Sequence, residues 1–307
     1  MLIISAKFGR LGNRLWLFAN FMAFALEYNQ QILNPAFDEY FSYFEGSNRD
    51  FLCSYPPLKC TFRGTKELRL RYYQFIKKLE ENQYFFRFEV QRNKPFQLSD
   101  SEVLEKIKYY PVVFFGGWLM RDGWYMEDIH LLQKYASQIR AYFSPLQSHQ
   151  STVNTLMNEV RKEADVVIGV HIRQGDYQEH QGGRYFFVDE QYIQVMKKVK
   201  TLFPNRRLKF LICSNTNHEP KLFQEFNCTF GIGQIIEDLY SFAQCDYIVG
   251  PPSTFTMWAS FYGEKPLYMI RDIQREIVLE DFVPFYDWKG VFHPNEDWSK
   301  TFWEWTH

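Results

Sequence analysis

Four short apolar runs rich in β-branched and aliphatic residues recur through the second half of the chain, at Val166–Ile172, Leu208–Cys213, Asp246–Val249 and Pro266–Ile270. Between and around them lie stretches with helical spacing, at Gln147–Glu163, Glu190–Phe203, Glu219–Phe226, Ile235–Gln244 and Phe255–Tyr262. Strands separated by helices cannot pair as hairpins. They require a parallel sheet with right-handed crossovers, which makes this an α/β chain.

The first half reads less clearly. Leu2–Ala6 is expected to be a strand and Leu15–Tyr28 a mostly buried helix, with the loop Lys7–Arg14 between them. Val112–Phe115, ending in Gly116-Gly117, is a second expected strand, and Glu67–Gln83 has a helical pattern. Met126–Phe143 spaces Ile129, Leu132, Ala136, Ile139 and Phe143 along one helix face, stopped by Ser144-Pro145. A boundary near residues 150–160 divides the chain into domains 1–155 and 156–307. The Trp- and Pro-rich tail after Asp281 is expected to pack back on the first domain.

Composition narrows the function classes. Aromatic residues make up 19% of the chain, including 31 Phe and 20 Tyr, enough for a well-filled core of enzyme size. With 35 basic and 36 acidic side chains there is no global field to attract nucleic acid or an anionic membrane, so any anion must be held locally. Five cysteines without a C-x-x-C pair argue against a disulfide framework or zinc knuckle, which points to a reducing, cytoplasmic compartment. Leu2–Ala6 is too short for a secretory leader, and no window has the ~18 apolar residues of a membrane helix. Peripheral membrane association stays open.

Three strand-to-helix junctions carry residues suited to an anion, and in open parallel sheets such junctions are where ligands bind. Gly9-Arg10-Leu11-Gly12-Asn13 follows the opening strand; it is neither a Walker loop nor G-x-G-x-x-G, and a plain tight turn also accounts for it. The strand Val166–Ile172 runs into His171-Ile172-Arg173-Gln174-Gly175-Asp176-Tyr177, where alternation puts His171 and Arg173 on one face. Arg173 has the fork geometry for phosphate, with an ion pair to Asp176 as the alternative. Ser253-Thr254, after Gly250-Pro251-Pro252, offers hydroxyls and N–H groups at a helix start, although helix capping alone explains either residue.

Taken together, these segments resemble the α-1,2-fucosyltransferases, glycosyltransferase family 11. GRLGNRLWLFA is similar to that family's G-x-L-G-N-Q-x-F-Q-Y-A, HIRQGDY to H-x-R-R-G-D-Y, and EDLYSFAQCDYIVGPPSTFTMWASFYG to a third family segment, in the same order. The wider superfamily of protein O-fucosyltransferases and α-1,6-fucosyltransferases shares the H-x-R element. The resemblance implies a GT-B architecture, two Rossmann-like domains facing across a cleft, with GDP-fucose held mainly by the second. It implies that Arg173 neutralises the β-phosphate, that Ser253, Thr254 and the Phe255 backbone hold the same phosphate, and that Asp238 faces guanine. His171 and Asp176 would lie near ribose or diphosphate, and Gly12 and Asn13 would approach from the first domain.

Implied too are inversion by single displacement and no metal cofactor, which the absence of a D-x-D triplet suits. GDP-fucose is then the donor and a glycan hydroxyl, galactose 2-OH in the family's pattern, the acceptor. Asp176 is the candidate base. Departures fall at Gln174, where the family has a second arginine, at Asn13-Arg14, at Cys213-Ser214-Asn215 and at Pro252-Ser253-Thr254. Gln174 removes one charge from the expected phosphate site, with Arg10 or Arg14 as candidates to restore it. The departures leave open another nucleotide sugar, or a nucleotide- or glycan-binding protein without catalysis.

Overall fold

The computed structural model describes residues 1–58, 62–90, 96–117 and 129–285. The chain divides into two compact units, Met1–Leu146 and Gln147–His307. The division therefore falls ahead of the helix that opens the second unit, and residue 155 lies inside that helix.

The first unit runs β1 (Leu2–Ile4), α1 (Leu11–Tyr28), β2 (Ile32–Leu33), β3 (Ser54–Tyr55), α2 (Lys66–Glu80), β4 (Phe86–Val90), α3 (Ser101–Tyr109), β5 (Val113–Gly117), α4 (Ile129–Lys134) and α5 (Ala136–Tyr142). Its sheet has the order β3-β2-β1-β5-β4, parallel except for β3. Helix α1 starts four positions earlier than its apolar pattern suggests, so Leu11 and Gly12 form a buried first turn and the loop after β1 shrinks. The single helix expected to end at Phe143 is broken at Tyr135 into α4 and α5.

The second unit runs α6 (Gln147–Arg161), β6 (Val166–Ile172), α7 (Asp189–Thr201), β7 (Leu208–Ser214), β8 (Cys228–Phe230), α8 (Ile235–Phe242), β9 (Tyr247–Gly250), α9 (Thr254–Gly263), β10 (Pro266–Met269) and β11 (Val283–Pro284). Strand order is β11-β10-β9-β6-β7-β8, with only β11 antiparallel. The strand β6 occupies its expected span because helices cover both faces, which favours an unbroken apolar run. Val170, Ile172, Tyr192, Val195 and Ile212 lie in one buried cluster on this sheet. The helix expected over Glu219–Phe226 is instead a short 3-10 turn, Pro220–Phe223, because the chain must extend again to pair β8 with β7. The expected contact of the tail with the first domain concerns residues 286–307, which lie outside the described residues.

Candidate functional site

In the second unit the chain lays down β6, builds outward through β7 and β8, and then returns to place β9 on the other flank of β6. The switch in winding direction falls between β6 and β9. In open parallel sheets the crossovers on either side of such a point diverge and leave a crevice beyond the strands' carboxyl ends. The rim of this crevice consists of the turn after β6, Arg173–Tyr177, and the turn after β9, Pro251–Ser253. The two turns are tied together: the Tyr177 hydroxyl donates to the Pro252 carbonyl at 2.6 Å and also meets the Ser253 side chain. Tyr177, a member of the quoted motif with no role assigned from sequence, thus joins the two junctions.

Arg173 lies over that tyrosine, with Cζ 5.5 Å from the ring centroid. Its backbone N–H donates to the Tyr192 hydroxyl at 3.1 Å, and its Nη2 donates to Asp176 at 2.9 Å. The ion pair offered as the alternative reading is therefore present, but it engages one end of the guanidinium. Nε is buried without a hydrogen-bond partner among the described residues. Leaving a buried donor unmatched costs on the order of 1–3 kcal/mol, so an under-coordinated guanidinium at a strand end is suited to an incoming anion. Ser253 starts α9 with its hydroxyl accepting the Phe255 N–H at 3.2 Å, so the Phe255 donor assigned to phosphate is engaged in a helix cap. Thr254 is the first residue of α9, beside it.

His171 is buried between Phe255 and Phe242, at ring-centroid distances of 5.3 and 5.9 Å. Burial, and then the charge of Arg173, push its pKa down to about 3, so the ring is neutral at any working pH. Its Nδ1 has no hydrogen-bond partner among the described residues. Gly250 permits this packing: a Cβ there would come within 2.8 Å of the His171 Cβ. Asp238, in the first turn of α8, is buried and accepts the Gly233 N–H at 3.2 Å. Burial raises its pKa to about 6 against the opposing pull of Gly233 and the Cys213 thiol. Cys213 pairs with His171 in the β6–β7 register, which puts Asp238 at the same end of the sheet as Arg173.

His171, Arg173, Asp176, Asp238, Ser253, Thr254 and Phe255 thus gather at the carboxyl ends of β6 to β9. Gly12 and Asn13 belong to the first unit, on the opening turn of α1. Gln174 faces inward: its amide donates to Asp189 at 2.8 Å and to the Phe187 carbonyl at 3.1 Å. Arg14 is buried and donates within the first unit to the carbonyls of Ala36 and Gly9 and to Glu39. Among the described residues no group of three or more His, Cys, Asp or Glu side chains is arranged to hold a metal ion. Cys53, Cys213, Cys228 and Cys245 are free thiols, and among the described residues no helix is long and apolar enough to cross a membrane.

Residues 131–276, which contain every element of this crevice, match glycosyl transferase family 11. The match spans just under half of the chain, and it is a similarity to that family. The protein is accordingly a glycosyltransferase. No curated protein matches it in sequence. Its fold is that of solved fucosyltransferases at low identity. A variant of Arabidopsis thaliana FUT1 in complex with GDP superposes with a TM-score of 0.56 at 14% identity, covering 89% of this chain and 71% of that one. The fucosyltransferase NodZ from Bradyrhizobium gives 0.53 at 15%, covering 88% and 95%, and POFUT1 in complex with GDP gives 0.51 at 13%, covering 87% and 97%. These likenesses place this chain among GT-B folds with two Rossmann-like α/β units.

Proposed function

We propose that this transferase moves fucose from GDP-fucose to a glycan hydroxyl, galactose 2-OH in the family's pattern, by inverting displacement. The observation that carries this reading is the switch point between β6 and β9, where the turn of an arginine with an unmatched buried donor is tied at 2.6 Å to the turn that leads into α9. The chemistry follows from that pairing. As the sugar–oxygen bond breaks, negative charge grows on the leaving diphosphate, and Arg173 with the positive N-terminal end of α9 would meet it. Fixed donors aimed at developing charge contribute on the order of 10²–10³ in rate each. That role asks for no metal.

Asp238 would accept from the guanine edge, and neutral His171 would border the ribose or diphosphate. Asp176, held to Arg173, would act first by orienting the guanidinium; as a base it would have to take the acceptor proton late, when the sugar already carries positive charge. Gly12 and Asn13 would contribute from the first unit. Polysaccharide or cell-surface glycan synthesis, with peripheral membrane attachment in a reducing cytoplasm, fits the free thiols. Gln174, the residue that motivated another donor or a loss of catalysis, is bound to Asp189 and Phe187, so its substitution need not lower the charge at the crevice.

Calorimetric titration with GDP-fucose, GDP-mannose and UDP-galactose in chelator tests the reading. Selective GDP-fucose binding, followed by GDP release with a galactoside acceptor, is expected. Absence of binding by any guanosine nucleotide would overturn it, and binding without GDP release on any acceptor would favour a protein that binds but does not transfer.

A further inference from the structure

The turn that carries Arg173 leaves the sheet at once: the β6–β7 pairing ends at Ile172 and Ser214, so the next two N–H groups have no strand partner. Side chains take them. Tyr192 accepts from Arg173, and Asn215 Oδ1 accepts from the Gln174 N–H at 3.0 Å. The other end of the same asparagine, Nδ2, donates to Asp176 Oδ1 at 3.3 Å. Gly175 makes room for it, because a Cβ there would lie 2.5 Å from Asn215 Nδ2.

Below Asn215 lies a closed set of polar contacts. Thr216 Oγ1 donates to Gln174 Oε1 at 3.2 Å, and the Gln174 amide donates to Asp189 at 2.8 Å. Asp189 meets His218 Nδ1 at 2.9 Å, and His218 Nε2 meets Ser214 Oγ at 2.6 Å and Thr216 Oγ1 at 3.1 Å. Serine, histidine and aspartate stand here in the order of a nucleophilic triad. The Ser214 hydroxyl, however, accepts the Thr216 N–H at 3.1 Å, and the His218 side chain is 2% exposed. The set is therefore a brace between the turns after β6 and β7. Asn215, at its exposed tip, is the residue through which the brace reaches Asp176.

We propose that Asn215 is a positioning residue for the anion site: it fixes the Asp176 carboxylate, which holds one terminal nitrogen of Arg173 and so sets the guanidinium whose Nε has no partner among the described residues. This rests on the reading that Arg173 binds the donor diphosphate. Networks of this kind act as a unit, so the contribution of Asn215 should depend on Asp176.

The test is calorimetric titration with GDP, alongside thermal melting, of the wild type, Asn215→Asp, Asn215→Ala, Asp176→Ala and the two double variants. Asn215→Asp keeps the size of the side chain and its acceptor for the Gln174 N–H, but sets a second carboxylate against Asp176. It should weaken GDP binding about tenfold with an unchanged melting temperature, and Asn215→Ala should weaken it severalfold. In the Asp176→Ala background both changes should shift GDP affinity less than about twofold. Affinity of Asn215→Asp within twofold of wild type would overturn the proposal, as would a loss that persists in full without Asp176. A purely structural asparagine would lower the melting temperature and leave GDP affinity alone. Failure of the wild type to bind GDP would remove the donor reading instead.

Discussion

Two arginines stand at strand-to-helix junctions, one in each unit, and they are built in opposite ways. Both junctions fall at a winding switch, between β1 and β5 in the first unit and between β6 and β9 in the second. Arg14, on α1, donates through Nη1 to the Ala36 carbonyl at 2.7 Å, through Nε to the Gly9 carbonyl at 3.3 Å and through Nη2 to Glu39 at 3.5 Å. Arg173 directs one nitrogen to Asp176 and keeps a buried Nε without a partner among the described residues. Proximity to a glycine turn does not separate the two. The hydrogen-bond census does: a guanidinium matched on every arm closes its own loop, whereas an unmatched arm in a crevice is available to a ligand.

Substitution of each arginine tests this contrast directly. Arg173→Ala should reduce transfer by 10²–10³-fold or more, on the order expected for a fixed charge-stabilising donor, with little change in melting temperature. Arg14→Leu should do the reverse. It strands two carbonyls and should cost about 2–4 kcal/mol of stability, while GDP affinity in calorimetry stays within about threefold. A stable Arg14→Leu enzyme without GDP binding would break the comparison.

The same contrast explains what the sequence disclosed. In the second unit, β6 was legible to the residue because a strand covered on both faces needs continuous apolar side chains. In the first unit, β2 and β3 are two residues each, too short to show any period, and β4 is a half-buried FRFEV stretch. Helix α3 was missed because it is rich in charged residues and buries only Val103. At the candidate site, His171, Arg173, Asp176 and Ser253 could be singled out in the sequence because they lie in local motifs. The partners that decide how those residues act come from afar: Tyr192 is 19 positions from Arg173, and Asn215 is 41 from Gln174. Gln174 looked like a lost charge because a linear motif does not tell which side of a turn a residue faces.

Asp238 offers a sharper, smaller test within the second unit. Its carboxyl is raised to about 6, mainly by burial. A carboxyl raised in the fold favours the folded state below its unfolded pKa of about 3.9, and that advantage is lost as pH rises through about 6. Asp238→Asn removes this dependence, so relative to wild type the variant should gain on the order of 2 kcal/mol between pH 4 and pH 7. Melting curves at the two values measure it. The same variant should weaken GDP binding and relax discrimination against UDP if the carboxylate faces guanine; unchanged discrimination would remove that role while leaving the stability argument intact.

The smallest effect concerns Ser253, where capping and anion binding make separable demands. The hydroxyl accepts the Phe255 N–H at 3.2 Å, and loss of such a cap to alanine costs about 0.5–2 kcal/mol, whereas glycine at the same position costs only a few tenths. Both variants lack the hydroxyl equally. If Ser253 serves the helix alone, GDP affinity should follow stability, falling slightly in Ser253→Ala and less in Ser253→Gly. If the hydroxyl also touches the diphosphate, the two variants should lose the same severalfold affinity while only alanine lowers the melting temperature. The second pattern is expected here, because the Tyr177 contact holds Ser253 on the rim shared with Arg173, whereas a cap serving only its helix would need no tie to the turn after β6.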